Sequence, residues 1–150
     1  MKERYYDESD RERKLFADKA KRLATYCYEH RLDGRECLQG VKVGMLHTFY
    51  NGIGPDFDWS VIVRIVDHMD LVFEPAAFIQ DVQYHVAEDR SEENFHKVNR
   101  QFYDNCIKCA VHATSWWQLL KRHRLFKSAK VLFEECEKHG IDSWNKRGGK

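Results

Sequence analysis

Proline is nearly absent from this chain. Of 150 residues only Pro55 and Pro75 are proline, and both fall in the middle third. Proline lacks a backbone N–H and its ring clashes with the preceding helical turn, so proline-free flanks leave long helices unopposed. Hydrophobic periodicity fills those flanks. From Asp10 to His30, the residues Leu15, Ala20, Leu23, Ala24, Cys27 and Tyr28 recur at helical spacing and share one broad apolar side. Pro75 suits a first helical turn, and "EPAAFIQDVQYHVAED" reads as a helix from there to about Glu88. Ser91 follows as an N-cap, with Glu92 and Glu93 at the positive end of the next helix dipole. That helix carries Phe95, Val98, Phe102, Cys106 and Cys109 towards "SWWQLL". A last helix is predicted over about His123 to Lys138, closed by Gly140 as a C′ residue, with "RGGK" as a frayed tail. The expected fold class is all-α in one domain.

Between the helices, "LDGRE" and "LQGVKVG" supply turns at Gly34, Gly40 and Gly44. "FYNGIGPDFDW" is a loop on composition. "SVIVRIV" is β-branched and suits a strand, but its helical neighbourhood favours a short helix or irregular segment.

Composition excludes some roles. A formal net charge of +1 argues against non-specific nucleic-acid binding, which needs excess positive charge to release counterions. The basic run "KRHRLFKSAK" reads as a solvated helix face. The polar start "MKERYYDESDRERK" is not a secretory signal, and no apolar run reaches the roughly 18 residues that span a bilayer. Five cysteines without a leader favour free thiols in a reducing compartment, so the chain is expected to be cytoplasmic when made. Cys106-x-x-Cys109-x-x-His112 lies on one helix, where core thiols are expected rather than a zinc or redox site. Trp116, Trp117 and Trp144 are expected in the core or at its edge, with a membrane or partner surface as the alternative.

The chemistry concentrates at "FIQDVQY". Gln80, Asp81 and Tyr84 lie on neighbouring parts of one helix face, and Asn99 meets that face if the next helix packs antiparallel. The carbonyls of the Tyr50–Gly54 loop with one carboxylate make an oxygen set of the kind Ca²⁺ prefers.

These motifs resemble phospholipase A2, in particular its short phage and bacterial members. "YNGIGP" matches the family's glycine loop, Gln80-Asp81-Val82-Gln83-Tyr84 stands at its His-Asp-x-x-Tyr, and "VNRQF" stands at its "ADRxF". The C-terminal stretch up to Trp144 is similar to the phage-type tails. The resemblance covers roughly residues 48–146, leaving 1–47 as a helical extension and 147–150 as a tail. It implies a core of two antiparallel helices with added N- and C-terminal helices. It further implies that Tyr50, Gly52 and Gly54 carbonyls with Asp81 would hold calcium, and that Tyr84 would hydrogen-bond to the second helix. Gln80 occupies the general-base position and Asn99 the position that orients the base.

An amide cannot take a proton at neutral pH, but a Gln–Asn pair can form a neutral inter-helix hydrogen bond. The expectation is therefore a catalytically inactive scaffold, acting as a protein-binding or virion-associated module on a virion or host protein, with self-association open. One alternative is a calcium-dependent phospholipid hydrolase with a relocated base. His85 sits about 140° around the helix from Gln80, and His47 and His68 lie in or near loops. The other alternative is a small phage inhibitor of a host defence protein.

Overall fold

A computed structural model describes residues 2–39 and 70–148, and all regular structure among them is helical. The described elements are α1 (Lys2–Glu29), α2 (Asp70–Val86), α3 (Glu92–Ala113) and α4 (Leu119–Gly148), with a 3₁₀ turn at Arg35–Leu38 after α1. The loop "YNGIGP", the "SVIVRIV" segment, Gly40 and Gly44 lie outside the described residues.

The α1 stripe is only partly as expected. Ala20, Leu23 and Cys27 are buried, but Leu15 is 62 % exposed and Tyr28 is 38 % exposed. The helix also begins at Lys2, well before the periodic stripe. The chain turns at Arg31, which adopts a left-handed φ of 51°, while Leu32 N–H reaches back to Cys27 O at 3.0 Å. This is a glycine-type helix stop made with arginine, and fully buried Leu32 supplies the apolar contact that usually accompanies it. Gly34 then takes φ 79°, opening the 3₁₀ turn. Asn105 of α3 fixes this exit: its Oδ1 accepts from Asp33 N–H at 2.7 Å and its Nδ2 donates to Asp33 O at 2.8 Å.

Helix α2 starts at Asp70, so Pro75 lies inside it rather than in its first turn. Pro75 removes one helical N–H donor there, and its own carbonyl accepts from the Cys27 thiol at 3.6 Å. Helix α3 begins as expected, with the Ser91 hydroxyl accepting from Asn94 N–H at 3.2 Å. Helices α2 and α3 run antiparallel, because successive residues Ala76, Gln80 and Tyr84 meet Cys109, Asn99 and Phe95 in reverse order. Residues of α1, α2, α3 and α4 share one apolar core built on Cys27, Phe73, Phe78, Val82, Phe102, Cys106, Leu125 and Leu132.

The last helix departs most from expectation. It runs through Gly140 to Gly148, so Gly140 is not a C-cap and "RG" of "RGGK" is helical. A Cβ at position 140 would stand 3.1 Å from Tyr84 Oη and 3.2 Å from Phe95 Cε2. Glycine lets α4 approach those rings and continue to Trp144, which is fully buried against Tyr84 and Phe95. Arg90 then ties the two helix ends at this cluster. Its guanidinium donates to Tyr84 O at 2.5 Å, His85 O at 3.0 Å and Trp144 O at 3.3 Å, and it stacks 4.8 Å from the Trp144 ring. Trp144 Nε1 donates back to Arg90 O at 3.2 Å.

The tryptophans divide. Trp144 belongs to the core, whereas Trp116 and Trp117, in the α3–α4 turn, are 77 % and 67 % exposed. The cysteines are free, and Cys106 and Cys109 are fully buried core residues. No described helix is long and apolar enough to cross a membrane.

Two outcomes follow from this packing. Gly140→Ala would ordinarily favour a helix by up to about 1 kcal/mol, but here it should lower stability in urea unfolding, because the added methyl presses on the buried rings of Tyr84 and Phe95. Burial, offset slightly by the Gln80 amide, pushes the Cys136 thiol up to about 12. Burial likewise pushes Cys27 up to about 12 and Cys109 up to about 11. These groups stay neutral in the fold while the unfolded thiols ionise above about pH 9. Stability from this source is therefore complete below about pH 9 and is lost as pH rises towards about 12. Urea midpoints under reducing conditions should fall across that window, and alkylation of these three thiols at about pH 8 should require unfolding.

Candidate functional site

The residues predicted to meet do meet. Asn99 is fully buried, and Gln80 and Tyr84 are nearly so. Asn99 Oδ1 accepts two hydrogen bonds, from Gln80 Nε2 at 3.0 Å and from Tyr84 Oη at 2.5 Å. Spacing explains the convergence. Gln80 and Tyr84 are one helical turn apart on α2, so both face the single α3 position that antiparallel packing brings opposite them. Gln80 Nε2 also donates to Cys136 Sγ of α4 at 3.6 Å, so both amide hydrogens have acceptors.

The other side of Asn99 carries a residue that the motifs did not indicate. Asn99 Nδ2 donates to Glu137 Oε1 of α4 at 3.1 Å. The second Glu137 oxygen bonds His96 Nδ1, and His96 Nε2 lies 3.6 Å from Glu92 Oε1. A chain of polar contacts thus runs from the buried amides to the surface, where His96 and Glu137 border a groove of about 570 Å³ with Lys97, Arg100 and Phe133. Glu137 lies 38 residues beyond Asn99. Local spacing cannot reveal a contact of that separation, although the i, i+4 pair Glu92/His96 was visible.

This arrangement has a definite charge requirement. Two donors point at Asn99 Oδ1 and one carboxylate accepts from Nδ2, so an amide satisfies all three neighbours at once. An aspartate at 99 would keep the Gln80 and Tyr84 bonds. Its second oxygen would then stand about 3.1 Å from the Glu137 carboxylate, two like charges with no proton between them.

Asp81, adjacent on α2, is buried and lies close enough to Cys136 to raise its thiol. Tyr50, Gly52 and Gly54, the other expected calcium ligands, lie outside the described residues, as do His47 and His68. Among the described residues no three His, Cys, Asp or Glu side chains are placed to hold a metal ion. One carboxylate contributes a single negative charge, so the described donors do not by themselves make a calcium site. His85 presents its carbonyl to Arg90 at the end of α2.

No family model matches this chain, and neither the curated proteins nor the solved structures give a match.

The Glu137 contact sets a stability test. Asn99→Asp should destabilise the fold by roughly 2–4 kcal/mol at pH 7. Adding Glu137→Gln should recover most of that loss, because a glutamine can donate to the new carboxylate. Lowering the pH should also narrow the gap between Asn99→Asp and the parent, since protonating one carboxyl relieves the pair. Urea unfolding of the two variants at about pH 5 and about pH 7 measures both effects.

Proposed function

We propose that this chain is a catalytically inert phospholipase A2-like scaffold, of phage type, that works as a protein-binding or virion-associated module. One observation carries the reading: Asn99 satisfies Gln80, Tyr84 and Glu137 together. In the family pattern, position 80 would hold the base that activates water and position 99 the carboxylate that orients it. Here position 80 holds an amide whose hydrogens are both engaged, and position 99 is committed to an amide by its carboxylate neighbour. Loss of a general base alone costs about 10²–10⁴-fold. The packing of the two helices is kept by a neutral bond in its place.

For a hydrolase with a relocated base, the described histidine joined to the Asn99 group through a carboxylate is His96. His96 is about half exposed and oriented by Glu137, as a general base would need. Its second ring nitrogen, however, faces Glu92 rather than open space.

Fatty-acid release from mixed phosphatidylcholine and phosphatidylglycerol vesicles, with Ca²⁺ and then with EDTA, separates the two readings. The parent chain should show no calcium-dependent release. Turnover abolished by EDTA would overturn the inert reading, and its loss in His96→Ala would identify the relocated base. Restoring the dyad should need three changes. Gln80→His with Asn99→Asp and Glu137→Gln is expected to gain hydrolysis, whereas the first two alone should remain silent.

A further inference from the structure

A cavity of about 600 Å³ opens where α1, the start of α2 and the end of α3 meet, a volume within the range of small-molecule sites. Lys19, Leu23, Tyr26 and His30 recur at helical spacing, so one side of α1 supplies a wall of it. Val72 and Pro75 of α2 add apolar surface. Proline has no N–H to leave unpaired there, and the Pro75 carbonyl is taken by the Cys27 thiol. His112 and Ala113 complete the lining from α3. Three rings follow one another from α1 to α3. Tyr26 lies 4.0 Å from His30, and His30 lies 4.3 Å from His112, centroid to centroid.

The charges in this lining do not cancel. Lys19 pairs with Glu74 across the α1–α2 contact, so those two offset one another. Arg22 also lines the cavity, and it makes no hydrogen bond or ion pair with any described residue. The ring nitrogens of His30 and His112 likewise have no hydrogen-bond partner among the described residues. The Tyr26 hydroxyl is bonded to Cys109, and burial pushes the phenol up to about 12, so it stays neutral and does not repel an anion. Ring faces and apolar surface are thus combined with one unmatched positive charge and two uncommitted imidazoles.

We propose that this cavity binds a small planar aromatic carboxylate. The aromatic body would stack on the His30 and His112 rings beside Val72 and Pro75, and the carboxylate would meet the Arg22 guanidinium. An aliphatic anion gains apolar burial here but no stacking. A neutral arene stacks but leaves Arg22 unmatched. A phosphate dianion carries more charge than Arg22 alone offsets, and Glu74 opposes the excess. The cavity is separate from the buried amides. Asn99 and His112 are about thirteen residues apart on α3, about 20 Å along its axis, so the proposal does not depend on how the Gln80–Asn99 group is read.

The test is isothermal titration calorimetry of the full chain with β-naphthoate near neutral pH. One site of sub-millimolar affinity is expected. The neutral analogue β-naphthylmethanol and the aliphatic anion decanoate should each bind more weakly by about tenfold or more. Arg22→Gln should weaken β-naphthoate by about tenfold and leave β-naphthylmethanol unchanged, which a general loss of structure would not do. Ala113→Trp, which adds an indole to the lining, should abolish binding of both. Arg22 and Ala113 are exposed, so circular dichroism should show that both variants fold. Absence of binding at millimolar β-naphthoate overturns the proposal, and so does binding that Arg22→Gln and Ala113→Trp leave intact. Decanoate binding as tightly as β-naphthoate would assign the cavity to an aliphatic anion and overturn it too.

Discussion

A single buried amide sets the register of three helices. Asn99 has no exposed surface, and a buried polar group left without partners is costly. Its oxygen must find donors and its nitrogen an acceptor. The donors come from Gln80 and Tyr84 of α2 and the acceptor from Glu137 of α4. Apolar side chains could slide past one another with modest loss, but these directional bonds hold in only one alignment. The apolar core then supplies the non-directional part of the stability, through residues such as Phe73, Phe78 and Leu125.

Around this amide, polar and aromatic groups share the work at one end of the molecule. Tyr84, Phe95 and Trp144 form a small aromatic cluster beside it. Arg90 occupies the carbonyls at the end of α2 and also reaches Trp144 near the end of α4. A second buried asparagine on α3, Asn105, does a comparable job for the chain leaving α1. Helix α3 therefore carries two buried asparagines that read specific groups on its neighbours, set among residues that fill space.

What could be read from the sequence was what local chemistry determines. The Ser91 cap depends on residues within one turn, and it is where the sequence placed it. The meeting of Gln80, Tyr84 and Asn99 followed from one-turn spacing and antiparallel packing. Gly140 misled because its local preference for a helix end was overridden by the closeness of Tyr84 and Phe95. Pro75 misled similarly, since a first-turn residue by preference stands inside α2. Apolar character did not decide which side of the fold a residue takes. Leu15, Trp116 and Trp117 face outward, whereas Trp144 is buried. Glu137 was invisible because its role comes from packing alone. The glycine loop and the remaining expected calcium ligands fall outside the described residues.

The Glu137 contact also restricts how this molecule can change over time. An aspartate at 99 is penalised while Glu137 remains, and a neutral residue at 137 leaves Asn99 without its charged acceptor. Aspartate at 99 and glutamate at 137 therefore exclude one another, whereas a glutamine at 137 could still accept from Asn99 Nδ2. An ancestor that carried a carboxylate at 99 would have needed a different residue at 137.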